Sequence, residues 1–303
     1  MLFLSIYIIL MVMKKYIIFD VQGGMGKNIM ATAVVSALKK QYSDYEIVVV
    51  CGWPAVWLNN PNVYRVYGFG NVPYFYDDFI RGNDILVFKH EPYHHQDYML
   101  KKRHLIEVWC EQCGVRHQGE TPEIYYNWRE DKYISGLMGN DPYTVIQCSG
   151  GTNNPSKYSW VRDIPFRQAQ SIVDYLNVQG KKVIQLKEKE APQLENVYPF
   201  ETENIRDLFG VIKFSENRIL IDSYSQHVAA CFGLKSTVLW PVDNSQILGY
   251  GFHNNINSSV NKHMTHKIDS YLLEDNITGT FHECPFESPD VFNLEEVYKA
   301  INE

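Results

Sequence analysis

A glycine-rich turn, Gly23-Gly24-Met25-Gly26, separates an apolar run, Tyr16-Ile17-Ile18-Phe19-Asp20-Val21, from a segment with apolar residues at Met30, Val34, Ala37 and Leu38. The first run reads as a buried strand. The second has helical spacing, and Glu46-Ile47-Val48-Val49-Val50-Cys51 follows as another strand. A strand–turn–helix–strand unit of this length commits the chain to a parallel α/β sheet. Backbone amides at such a turn, with the helix N-terminus behind them, suit an anion or a sugar hydroxyl.

Two familiar glycine-loop chemistries fail on this sequence. A phosphate-loop nucleotidase needs G-x-x-x-x-G-K-[ST], and here Val21 replaces the first glycine and Asn28 the magnesium-binding hydroxyl. A dinucleotide fold needs G-x-G-x-x-G and an acidic residue closing the second strand. Gly23, Gly24 and Gly26 supply only the first half, and the strand ends in Cys51-Gly52.

The alternation continues. Strands are expected at Val63–Tyr67 and Asp84–Phe88, and a helix at Leu105–Cys113. Residues 128–142 are polar, contain Gly136, Gly139 and Pro142, and read as a linker. A second series follows: strand Tyr143–Cys148, helix Pro165–Gln179, strand Lys182–Leu186, helix Ile205–Phe214, strand Arg218–Ile221, helix Gln226–Phe232, strand Ser236–Trp240 and a final helix Leu294–Ile301. The expectation is two doubly wound, Rossmann-like α/β domains, 14–135 and 141–303, facing a central cleft. The last helix is free to pack back on the first domain. In such sheets, ligands lie beyond the strand C-termini.

A chain of 303 residues with 45% hydrophobic and 21% charged residues can fill cores of that size. A net charge of −7 disfavours a nucleic-acid partner. Many of the 21 tyrosines stand in polar loops, such as Val72-Pro73-Tyr74-Phe75-Tyr76 and Pro92-Tyr93-His94-His95. Such loops suit sugar rings or bases, and equally serve as buried anchors. Cys110-x-x-Cys113, with His104 and His117 nearby, raises a zinc site. It lacks a second pair and reads instead as structural thiols, so no metal and no cofactor is expected. Residues 2–13 are apolar but too few to span a bilayer. Met13-Lys14-Lys15 reads as the natural start, which makes 1–13 an over-extended N-terminus. A cytoplasmic protein is expected, with peripheral attachment to the inner face of a membrane as the alternative.

Several segments, in order, resemble one family, the ADP-heptose lipopolysaccharide heptosyltransferases. GGMGKNIMATAVVSALKKQYSDYEIVVV is similar to that family's opening, and His104-Leu105-Ile106-Glu107-x-Trp109-x-x-Gln112-x-Gly114-Val115 to its helix before the interdomain linker. Ser149-Gly150-Gly151 with Lys157 and Trp160 resembles its second-domain phosphate loop. Asp222-Ser223-Tyr224-Ser225-Gln226-His227-Val228-Ala229-Ala230 resembles its Asp-Ser-Gly-x-x-His-x-Ala-Ala helix start.

The resemblance implies a GT-B fold and an inverting, metal-independent glycosyl transfer. Its donor would be a nucleoside-diphosphate sugar, ADP-sugar favoured, and its acceptor a glycan or other hydroxyl. Ser149, Gly150, Gly151, Lys157, Asp222, Ser223, Tyr224, Gln226 and His227 would hold the donor, with Ser223 or Ser225 capping the helix. Gly23, Gly24, Gly26 and Asn28 would form the acceptor-side loop. The absence of a D-x-D motif agrees with metal independence.

Two positions depart from the pattern: Tyr224 stands where the family usually has a glycine beside the phosphates, and Lys27 is the second. Where the family usually carries an aspartate as general base, this chain has Lys27, and a protonated lysine cannot accept the acceptor's proton. Asp20, Glu91, His94, His95 and Asp97 are the alternative bases, with a Glu or His of the 90–97 loop favoured. Three other readings stand beside this one: a different acceptor that Lys27 positions, for instance through a phosphate; a nucleotide-sugar or glycan-binding protein without catalysis; and an epimerase of the same fold.

Overall fold

The computed structural model describes residues 13–150, 159–242, 244–259, 286 and 288–303. The expected over-extended N-terminus, Gly151 and Lys157 therefore lie outside the described residues, apart from Met13.

Two wholly parallel sheets form the frame. The first has strands β1 (Lys15–Val21), β2 (Glu46–Cys51), β3 (Arg65–Gly68) and β4 (Asp84–Phe88) in the order β3-β2-β1-β4. The second has β5 (Tyr143–Ile146), β6 (Lys182–Leu186), β7 (Tyr198–Phe200), β8 (Asn217–Ile221), β9 (Thr237–Trp240) and β10 (Asn254–Asn257) in the order β10-β9-β8-β5-β6-β7. Strand order reverses between β1 and β4 in one sheet and between β5 and β8 in the other. These are the two places where a parallel sheet opens a crevice at its carboxyl edge.

On β1, Ile17, Phe19 and Val21 face one core and Tyr16 and Ile18 another, so both faces are covered and the strand reads as a continuous apolar run. Helix α1 (Met25–Gln41) is buried from Lys27 to Leu38 on all sides, not along the single stripe that its spacing suggested. It lies between its sheet, helix α3 (Leu105–Gln112) and helix α7 (Tyr224–Cys231) of the second half. A helix surrounded in this way has no solvent face to pattern. One hydrophobic cluster consequently runs from Ile17, Val34 and Trp109 through to Val145, Phe209 and Val228.

The expected linker is a helix, α4 (Trp128–Met138). Asn127 accepts from the backbone N–H of Arg129 and Glu130, and the Glu130 carboxylate accepts from the Asn127 N–H, a complete capping box. Ile134 packs onto Gly210 of helix α6 (Ile205–Phe214), where a Cβ on the glycine would come within 2.6 Å of it. The final helix, α9 (Leu294–Asn302), does not return to the first half. Its apolar side meets helix α5 (Phe166–Val178) and the β9–β10 edge, where Tyr298 stacks on Tyr175 at 4.0 Å. Among the described residues, no helix is long and apolar enough to cross a membrane.

Arg206 on α6 braces these parts. Its buried guanidinium pairs with Glu130, donates 2.9 Å to the Ala55 carbonyl and 2.6 Å to that of Tyr125, and lies over the Tyr126 ring. Arg206→Ala strands Glu130 and two carbonyls, so urea unfolding is expected to lose about 3 kcal/mol. Arg206→Lys recovers only part of this, because a compact ammonium cannot span the separated acceptors that Nε and the two terminal nitrogens of the guanidinium reach. A loss under about 1 kcal/mol for Arg206→Ala removes the brace.

Candidate functional site

The loops after β1 and β4 meet at the first switch point. Gly23 holds φ +99°, and a Cβ there would meet the Lys27 stem at 3.0 Å. Gly24 begins α1 without a side-chain cap. Asn28, expected to face a ligand, is fully buried. Its amide donates 3.1 Å to the Gly24 carbonyl, and its oxygen accepts from the Trp57 indole at 3.4 Å. Asn28 therefore ties down the turn.

Lys27 sits just below this turn, its side chain 2% exposed. Its ammonium lies 2.7 Å from both oxygens of Glu91 and over the rings of Tyr93 (5.0 Å) and Trp109 (5.4 Å). Burial pulls the lysine pKa below its ordinary value, and Glu91 and Asp20 work against that pull. Glu91 is 40% exposed at the crevice.

The structure separates the other candidate bases. Asp20 pairs with Lys89 at 3.2 Å through one oxygen, and its second oxygen is buried without a hydrogen bond. His94 is exposed. His95 caps helix α2 (Gln96–Met99), its Nδ1 accepting from the Asp97 N–H, and Asp97 pairs with Arg103. Of the 90–97 loop's candidates, only Glu91 is joined to Lys27.

At the second switch point, Asp222 directly follows β8 and is buried. Ser223 begins α7 but makes no side-chain cap; its hydroxyl accepts from Gln147 at 3.2 Å, which links the ends of β5 and β8. Ser225, the other expected cap, is fully buried inside the helix. The first-turn amides of Tyr224, Ser225 and Gln226 have no acceptor within the helix, as at any helix start. The expected amide nest at Ser149-Gly150 is partly spent. The Gly150 N–H donates 2.9 Å to Asp163, which also takes the Ser159 N–H at 2.7 Å. Burial raises the Asp163 pKa against these two bonds. The Arg162 stem packs on Gly150 so closely that a Cβ would lie 2.6 Å from it. Arg162 and Asp163 were missed in the sequence. An Arg-Asp pair shortly before a helix carries no distinctive spacing.

The two crevices converge. A Cβ on Gly26 would lie 3.0 Å from the His227 ring and 3.6 Å from the Tyr224 Cα, so the starts of α1 and α7 touch. His227 shares a 2.8 Å hydrogen bond with the Tyr250 hydroxyl, and the Tyr250 ring also neighbours His104 and His253. Burial is the largest cause that pushes His227 down to about 3 and His104 and His253 to about 4. His227 is a core histidine whose ring edge meets the interdomain contact. Gln226 donates 3.0 Å to the Leu248 carbonyl of helix α8 (Ser245–Leu248).

The Cys110–Cys113 pair gathers no metal site. Both thiols are buried and burial pushes Cys110 up to about 12. His104 caps α3 through Nδ1, and His117 bonds the Glu120 carbonyl. Among the described residues, no three His, Cys, Asp or Glu side chains are placed to hold a metal ion.

No protein-family model matches the sequence, and no curated protein matches it significantly. Solved structures share the fold. The glycosyl transferase family 9 structure from Veillonella parvula DSM 2008 is 17% identical with a TM-score of 0.66, over 95% of this chain and 96% of its own. The E. coli ADP-heptose lps heptosyltransferase II is 12% identical with a TM-score of 0.62, over 95% and 98%. The E. coli heptosyltransferase WaaC with ADP is 10% identical with a TM-score of 0.54, over 80% and 92%. The two-sheet α/β architecture expected from the sequence is therefore that of known GT-B glycosyltransferases.

Proposed function

We propose that the chain is an inverting, metal-independent glycosyltransferase that moves a sugar from a nucleoside-diphosphate donor to a hydroxyl acceptor. The observation that carries this is the convergence of the two switch-point crevices at Gly26 and Tyr224–His227. A transferase needs two ligand sites whose reacting atoms meet, and a switch-point crevice on each sheet supports that reading. The shared fold supports the reading, and the ADP named for one of the similar structures favours an ADP-sugar donor.

In this reading, Glu91 is the general base and Lys27 its positioning partner. The acceptor oxygen attacks the anomeric carbon from the face opposite the diphosphate. The new C–O bond forms as the bond to the phosphate oxygen breaks, and the acceptor proton passes to Glu91. The leaving diphosphate takes the electron pair and needs fixed donors. The α7 amides of Tyr224, Ser225 and Gln226 offer them, with Ser149 on the neighbouring loop, which Gln147 ties to Ser223. Gly151 and Lys157 extend this loop in sequence.

A thermal-shift panel of ADP, GDP, UDP and CDP, with and without EDTA, tests the donor half. ADP at a hundred times its Kd is expected to raise the melting temperature by about 5 °C, unchanged by EDTA and lost in Asp222→Ala. No shift with any nucleotide at millimolar concentration defeats the transferase reading. A shift without any transfer or hydrolysis of the matching sugar donor leaves the binding-protein alternative.

A further inference from the structure

Aromatic residues crowd the loops of the first half, and one pair of rings lies beside the proposed acceptor turn. The Trp53 indole N–H donates 3.2 Å to the Gly23 carbonyl, which fixes the ring against the turn. The Phe69 ring packs on Gly52, at 3.7 Å from where a Cβ would stand, and the Gly23 carbonyl is 3.9 Å from the same point. Phe69 is 46% exposed although it directly follows a strand; Gly52 and Gly23 beside it, and Gln22 and Gly24 flanking Gly23 in the chain, are open. Three of these four are glycines, so a flat ligand can approach the backbone beside the rings.

We propose that Phe69 and Trp53 form a saccharide-binding platform, a subsite for a sugar ring of the acceptor distant from the ring that reacts. Contacts run unbroken along the carboxyl edge of the sheet: Phe69 after β3, Gly52 after β2, Gly23 after β1, then Lys27 and Glu91 after β4. From Phe69 to Glu91 is three strand spacings, about 14 Å. That exceeds one sugar ring and suits a di- or trisaccharide, whose reacting hydroxyl would reach Glu91 while a further ring covers Phe69. A sugar offers an apolar C–H face to the ring and hydroxyls to exposed backbone groups of the turn. The acidic net charge, with Lys27 paired to Glu91 and Lys89 to Asp20 along this edge, favours this occupant over a nucleic-acid base.

The subsite deepens the transferase reading and rests on it for the word acceptor, but its binding is testable alone. The full chain, fluorescently labelled, is applied to an array of bacterial and mammalian glycans from mono- to hexasaccharides. The wild type is expected to retain a set of oligosaccharides and not their monosaccharides. Phe69→Ala weakens that binding about tenfold or more, whereas Phe69→Tyr, which keeps a ring, retains it. The ADP thermal shift stays the same in Phe69→Ala, which also shows that this variant is folded. Retention of no glycan, or equal retention by Phe69→Ala, overturns the platform while an intact ADP shift leaves the transferase reading standing. Displacement of bound glycan by adenosine at the platform also overturns it. Glycan retained without any nucleotide shift keeps the platform and defeats the transferase reading.

Discussion

Glu91→Gln is expected to lower glycosyl transfer by about 10²–10⁴-fold, the usual contribution of a positioned general base, with the ADP thermal shift intact. The variant also leaves the Lys27 ammonium buried without its counter-ion, which costs about 3 kcal/mol of stability. Lower activity alone would therefore be ambiguous. The double variant Lys27→Gln, Glu91→Gln separates the two effects, because it removes both charges. It is expected to recover most of the stability and none of the transfer. Lys27→Gln alone keeps a carboxylate that is 40% exposed and well able to be hydrated. Its stability changes little, and its rate falls less than that of Glu91→Gln. Single-turnover rates and urea midpoints for the three proteins read this out. If the double variant regains transfer along with stability, Glu91 is a counter-ion only, and Asp20 becomes the base to test.

Acid is expected to unfold the protein earlier than its carboxylates alone require. His227, His104 and His253 surround the Tyr250 ring and are held neutral by burial, at about 3, 4 and 4. In the unfolded chain each takes up a proton near pH 6.5. Their folded values are depressed, so the unfolded state binds more protons below that pH. Stability is then fully present above pH 6.5 and is lost as pH falls towards the folded values. At pH 5 each group costs about 2 kcal/mol, with the smallest share for His104, which keeps a partly exposed edge. Together that is about 5 kcal/mol, comparable with the whole stability of many domains. Urea unfolding at pH 7.5, 6 and 5 gives the proton uptake directly as a slope. A slope near two to three protons between pH 6 and 5 is expected. Less than one proton would mean that the cluster opens to water in the native state.

Much of this fold is legible in the sequence where an element buries both faces or a whole side. Strands β2, β4 and β6 and helix α6 have the bounds that their apolar runs suggest. The elements that escape are those whose pairing comes from elsewhere. Strand β10 is Asn-Asn-Ile-Asn and exists because β9 offers it a ladder. Strand β7 is three residues around Pro199, allowed at a sheet edge. Helix α4 buries only Ile134, so it has no apolar stripe, although Asn127-x-x-Glu130 announces its start. At the site, the glycine turn and the α7 start stand out locally. The Lys27–Glu91 pair does not, because 64 residues separate its members and only the β1–β4 neighbourhood joins them. The cap expected from Ser223 is likewise absent; its hydroxyl instead accepts from Gln147, just past β5 and 76 residues away in the chain.

The hydrophobic cluster that passes through α1 into the second sheet has a consequence for how such a chain can change over time. Two-part enzymes are often imagined as exchangeable modules, with a donor half traded between relatives to alter the sugar delivered. Here the trade would cut through a shared interior, where α1 packs on α7 so closely that a Cβ on Gly26 would stand 3.0 Å from the His227 ring. For the transferase proposed above, new donor preferences are therefore more accessible through substitutions on the loops above the sheets than through the wholesale exchange of halves.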